Sequence, residues 1–146
     1  MNKFTILGCG SSLGTPWITR YSSKLDLKEK KNHRTRCCAH INYKNLSILI
    51  DTSPDIKKQI LDNKISHVDT ILYTHEHADQ TSGIFEMRPF YWMNKNKIPV
   101  FASKRTLREL KKSYSFCFKE KHGYNPILKP IEAKKSFYVS KGKIKL

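Results

Sequence analysis

Apolar and polar positions change period several times along the chain, and each change predicts an element. Lys3 to Leu7 reads as a short strand. Cys37 to Tyr43 and Leu46 to Asp51 are two further strand-like runs joined by Lys44-Asn45, the pattern of a β-hairpin, and Ser47-Ile48-Leu49-Ile50 is apolar enough for a central strand. The next residues read as a helix start, with Ser53 as N-cap, Pro54 in the first helical position and Asp55 favoured by the helix dipole. Ile56, Ile60 and Leu61 then supply an apolar face to about Asn63. Asp69 to Thr74 is a buried strand and Pro99 to Ala102 a shorter one.

Between those two strands, Ile84 to Met93 carries Phe85, Met87, Phe90, Tyr91 and Trp92. This aromatic stripe reads chiefly as core, with a substrate platform as the alternative. Ser103 caps a predicted helix in which Leu107, Leu110, Tyr114 and Cys117 share a face, while Lys104, Arg105, Arg108, Lys111 and Lys112 point away. Ile127 to Leu146 holds two or three short strand candidates, including a hairpin around Lys141-Gly142-Lys143. Two loops interrupt the pattern: the glycine-rich Gly8 to Pro16, and the polar Trp17 to Arg36. Strands alternating with helices predict an α/β fold in one domain, residues 1–146.

Composition narrows the class. With 38% hydrophobic and 11% aromatic residues the chain is predicted to fold. The net charge of +16 admits a polyanionic partner, but the lysines are spread along the chain without an arginine-rich block, so a solubilising surface is the simpler account. Cys9, Cys37, Cys38 and Cys117 form no C-x-x-C pair and read as reduced thiols. The apolar run near the N-terminus is too short for a signal peptide, and no stretch is long enough to cross a membrane. A cytoplasmic protein is expected.

The chemistry concentrates where the Asp69 to Thr74 strand ends, at His75-Glu76-His77-Ala78-Asp79-Gln80. Two histidines at i and i+2 and a carboxylate two positions on put three metal-competent groups on one turn. A metal held there favours hydrolysis, because it makes hydroxide available near neutral pH. The alternative is that Asp79 merely caps the following helix.

His75-x-His77-x-Asp79 at a strand end resembles the H-x-H-x-D-H signature of the metallo-β-lactamase superfamily. Leu7 to Pro16, Arg34-Thr35-Arg36-Cys37, Leu49 to Asp55 and Arg88-Pro89 are similar to one branch of it, which contains the phosphoribosyl cyclic phosphate phosphodiesterase. The resemblance runs to about Lys135. It implies an αββα sandwich, of which this chain supplies the N-terminal half and part of the second. It also implies that His75 and His77 ligate a first metal, zinc or manganese. Asp79 would ligate a second and help hold the catalytic hydroxide, and Asp51 would support the ligand loop from behind.

Two departures shape the expected activity. The signature's last histidine is Gln80 here, whose amide oxygen is a poorer zinc ligand than imidazole. The family's later ligands have no counterpart, since His122 is the only histidine after His77 and its context differs. Weak or absent metal binding and impaired turnover of a phosphate-containing small-molecule substrate are therefore expected. A non-catalytic fragment and a nucleic-acid-binding module are the competing readings, the latter not favoured. An apolar sheet face lacking its cover should promote self-association or docking of a chain that supplies the missing half.

Overall fold

Six strands pair in chain order into one sheet, β1 (Lys3–Gly8), β2 (Cys38–Tyr43), β3 (Leu46–Ile50), β4 (Thr70–Leu72), β5 (Ile98–Ala102) and β6 (Leu128–Glu132). The structure is a computed structural model and describes residues 2–19, 24–120, 122–139 and 144–145. The first three strands run antiparallel, and β3 to β6 run parallel. The β2–β3 hairpin turns on Lys44 and Asn45 as expected, both with positive φ, as a two-residue turn matched to the strand twist requires.

Parallel pairing demands crossovers, and helices supply them. Helix α1 (Ile56–Asp62) links β3 to β4. The short α2 (Ala78–Thr81), a 3-10 turn at Ile84–Met87 and α3 (Arg88–Asn94) link β4 to β5, and α4 (Lys104–Ser113) and α5 (Ser115–Phe118) link β5 to β6. Ser103 caps α4 by accepting from the Thr106 amide, as predicted. The α/β order anticipated from the sequence is the one observed.

Alternation along the strands sorts the core into two layers. Leu7, Leu49, Ile71, Val100 and Leu128 meet Ile56, Ile84, Met87, Phe90, Leu107 and Leu110 from the helices. On the opposite face Leu46, Ile48 and Phe101 pack with Val139 and Phe137, and the Phe101 and Phe137 rings stack with centroids 4.7 Å apart. That second face is thus covered in part by the C-terminal segment, which continues into a small hairpin of β7 (Tyr138–Val139) and β8 (Ile144–Lys145). Phe4 and Ile6 on β1 stay 61% and 67% exposed, so on the β1 side the expected uncovered apolar surface is present.

Several expectations need correction. Regular α1 begins at Ile56 with Asp55 in the cap position, two residues later than expected, although the Ser53 hydroxyl still accepts from the Asp55 amide at 3.2 Å. The Ser53 hydroxyl also donates to Gln59 Oε1, and the Asp55 carboxylate accepts from the Arg36 amide and pairs with its guanidinium. Leu61 is 67% exposed, and Gln59 takes the buried place beside Ile56. The helix from Ser103 stops at Ser113, so Tyr114 and Cys117 belong to a separate turn. The Trp17 to Arg36 loop contains a 3-10 turn at Lys30–Asn32 and pairs back through Thr15 with Arg34 and Gly10 with Arg36. The turn at Lys141-Gly142-Lys143 lies outside the described residues.

Candidate metal centre

The short β4 ends at Leu72 in the interior of the sheet and delivers the donor turn at its C-terminal end, where α/β sheets present their ligand sites. Tyr73 still belongs to the core, its amide donating to Phe101 O and its hydroxyl 2.6 Å from Thr52 Oγ1. Thr74 then turns the chain, and His75, His77 and Asp79 follow. The ligand atoms of these three lie within 4.8 Å of one another. Two donors on one zinc ion stand at most about 4.2 Å apart, twice the usual bond length, so a small side-chain rotation closes the set. All three side chains reach solvent, which gives an ion its entry path. The residues present therefore fit a divalent metal with nitrogen and oxygen preference.

What holds the turn is a contact between distant segments. Asp51 sits just beyond β3 with φ of +64°, a left-handed conformation that aspartate tolerates better than most residues. Its Oδ1 accepts from the Thr74 amide and its Oδ2 from Thr74 Oγ1, each at 2.8 Å. Burial raises the Asp51 carboxyl above its ordinary value, while the two Thr74 bonds pull it back. Thr74 Oγ1 also lies 2.9 Å from His75 Nδ1. A hydroxyl has one proton, and here it is directed to Asp51. His75 Nδ1 must then be the donor in the second contact, which leaves Nε2 with the free lone pair. Asp51 thus selects, through Thr74, the tautomer of the first histidine.

Glu76, between the two histidines, points away from them. It pairs with Arg105 at 2.8 Å and accepts from Thr106 Oγ1, tying the turn to α4. Its own backbone amide, then Arg105 and Thr106, hold its carboxyl below the usual range. On the far side, Thr52 N donates to Gln80 O and Gly83 N donates to Thr52 O, zipping the motif onto the segment after β3. The fit is close enough that a Cβ at Gly83 would sit 2.2 Å from Ser53 O and 2.4 Å from Ile56 Cγ2.

Asp79 lies in the first turn of α2, but its side chain caps nothing, and His77 holds the cap position. The capping alternative is therefore not realised. The Asp79 carboxylate instead accepts from Gln80 Nε2 at 2.9 Å. Gln80 is buried at the place where the resemblance calls for a ligand, and its amide is spent on orienting Asp79. Thr74 and Glu76 were not singled out from sequence, whereas Gly83 belongs to the nine-residue pattern of two histidines, an aspartate and a glycine that marks the turn.

The profile of the beta-lactamase superfamily domain matches residues 47–146, more than half of the chain and all of the donor turn. The chain belongs to the metallo-β-lactamase superfamily. Among solved structures, this superfamily member is similar to a diphosphatase of the PhnP family, with 28% identity and a TM-score of 0.78. The match covers 95% of this chain and 54% of that one. It also shares its fold with zinc-bound PqqB from Methylobacterium extorquens at 18% identity and a TM-score of 0.70, covering 97% of this chain and 50% of that one.

A curated octanoyltransferase of Porphyromonas gingivalis (strain ATCC BAA-308 / W83) is 30% identical over 131 residues, covering 88% of this chain and 26% of that protein. Because only a quarter of that protein is matched, the likeness does not carry octanoyl transfer over to this chain. The chain spans about half the length of these structural relatives and a quarter of the curated one. The α/β half-sandwich expected from the motif agrees with that coverage. No helix among the described residues is long and apolar enough to cross a membrane.

Proposed function

We propose that this chain contributes the first metal-binding turn of a phosphodiesterase-type hydrolase acting on a phosphate-containing small molecule. The observation that carries this reading is the convergence of His75, His77 and Asp79 donors at the end of β4, braced by Asp51 through Thr74. The likeness to a diphosphatase of the PhnP family supports the phosphate chemistry. His75, through Nε2, and His77 would hold zinc or manganese, and Asp79 would turn its carboxylate toward a second ion. A bound ion there would supply hydroxide at neutral pH and offset charge on a phosphoryl oxygen. Asp79 is the one residue of the set suited to steering the attacking oxygen, since Gln80 already fixes its orientation.

The same donors limit the activity. Three ligands from one turn, aimed at two ion positions, are fewer than a closed tetrahedral site requires. We therefore take these 146 residues alone to bind metal weakly and to turn over slowly or not at all. Further donors would come from another polypeptide segment seated on the β1 side, where Phe4 and Ile6 are exposed. The exposed free thiols of Cys9 and Cys37 suit a reducing compartment such as the cytoplasm. A nucleic-acid partner has weaker support, because on the basic face of α4 Arg105 is engaged by Glu76 and Arg108 by Glu109.

The test is to load the purified chain with zinc or manganese, then measure bound metal and cleavage of bis(p-nitrophenyl) phosphate. Substoichiometric metal that disappears in His75→Ala, with turnover near background, is the expected result. Equal metal content in the parent and His75→Ala would remove the proposed site.

A further inference from the structure

The aromatic stripe expected to be core divides in two. Met87 and Phe90 are buried, whereas Phe85 and Trp92 are 41% and 59% exposed. Phe85 meets Phe116 of α5 edge to face, ring centroids 5.7 Å apart, and these two rings with Tyr124 and His122 line an open cleft of about 430 Å³. At its rim stands Arg88. Its guanidinium carbon lies 4.7 Å from the Trp92 ring centroid, 4.8 Å from that of Tyr124 and 5.5 Å from that of Phe85.

Arg88 is held by faces, not by charge. Among the described residues no carboxylate pairs with it and no acceptor takes its N–H groups. Three rings surround the guanidinium, and the Arg88 side chain stays half-buried rather than enclosed. A cation–π cluster serving packing alone needs neither the cleft beside it nor those unclaimed N–H groups. The cleft is also close to the donor turn. Five residues separate Asp79 from Phe85, and Thr81 Oγ1 of α2 lies 3.2 Å from the Tyr114 hydroxyl at the start of α5.

We propose that Phe85, Phe116, Tyr124 and Arg88 form a subsite for a nucleoside monophosphate, the aromatic walls stacking its base and the Arg88 edge bonding an anionic oxygen. Base stacking on aromatic side chains tolerates any base, and the arginine fork matches phosphate geometry. The assignment gives the phosphoesterase reading above its substrate class and rests on that reading for its purpose. Its occupancy is measurable without turnover.

The experiment uses the full chain, stripped of metal, with AMP as the probe and adenosine and ribose 5-phosphate as comparisons, followed by saturation-transfer NMR and titration calorimetry. Saturation of the adenine ring protons is expected, with AMP bound at least tenfold more tightly than either comparison. Phe116→Leu keeps the apolar volume but removes the ring, and Arg88→Gln keeps a donor but removes the charge. Both positions reach solvent, and each variant should weaken AMP binding at least fivefold while retaining the parent's circular dichroism and melting temperature. The proposal is overturned if AMP does not bind, if ribose 5-phosphate binds as well as AMP, or if both variants bind AMP like the parent. Because no metal and no cleavage enter the measurement, a failed subsite leaves the hydrolase reading standing, and a metal-free inactive protein leaves the subsite standing.

Discussion

Thr74 Oγ1 donates to Asp51 Oδ2 and in turn accepts from His75 Nδ1, so one hydroxyl carries the influence of a buried carboxylate to a metal-competent imidazole. The two partners of that hydroxyl are 24 residues apart in the chain and follow the ends of the adjacent parallel strands β3 and β4. The contact is therefore tertiary, and it both holds the loop and orients the histidine.

Removing the hydroxyl should separate those two effects. Thr74→Val keeps the shape and the backbone bond to Asp51 but frees the His75 tautomer. Zinc affinity by calorimetry should fall by about 10-fold or more, the usual cost of losing a partner behind a ligand. Thr74→Ser should restore it. An affinity unchanged in Thr74→Val would mean that His75 needs no orienting group.

Gln80 offers the reverse experiment. Gln80→His replaces an amide donor to Asp79 with an imidazole at the family's fourth signature position. Zinc binding should tighten by on the order of tenfold, the scale of a ligand-sphere change. A variant that folds but binds no better than the parent would show that the side chain at this position cannot reach the ion.

Gly83→Ala tests the zip between the donor turn and the segment after β3. The added methyl meets Ser53 O and Ile56 Cγ2, one backbone and one fully buried side chain, so neither gives way cheaply. A loss of about 1–3 kcal/mol is expected from overpacking, read as a lower urea midpoint with unchanged slope. The variant should also bind metal less well than its stability alone explains.

Acid should weaken the fold through His40. This histidine is buried, and its Nε2 donates to Ser47 Oγ, whose own proton goes to His67 O. Burial first, then the charges of His67 and Lys3, hold its pKa below the ordinary histidine value. The unfolded chain thus takes up a proton near pH 6.5 that the folded chain refuses. The contribution is complete above that pH and is lost as pH falls toward the depressed folded value. Urea stability measured from pH 7.5 to 5 should decline, and His40→Gln, which can still donate to Ser47, should decline less.

Much of this architecture was legible in the residues. The hairpin, the strand that ends in the donor turn and the Ser103 cap follow from short-range patterns, and local chemistry alone decides them. Failures came where a distant group competed for a side chain. Ser53 does bond the Asp55 amide as an N-cap would, but its hydroxyl proton is drawn to Gln59, itself held inward by Thr35 and Arg36, and regular helix starts only at Ile56. Asp55 does stand at the N-terminus of α1, and its additional ion pair with Arg36 is what short-range pattern does not reveal. Phe85 and Trp92 looked like core because apolar character says nothing about which rings will flank an arginine. At the site, His75, His77 and Asp79 stood out by spacing, whereas Thr74 has no signature of its own and acquires its role only from Asp51.

The bracing of the turn on both flanks has a kinetic side. Asp51 and Thr52 reach it from the end of β3, Thr74 and Gly83 belong to the stretch after β4, and the strands between them must already lie side by side. Long-range pairings of this kind form late, after the loop-closure entropy has been overcome. Ion capture during refolding should accordingly lag behind collapse, and a synthetic peptide of residues 70–83 should offer the same imidazoles without any preference for a cation.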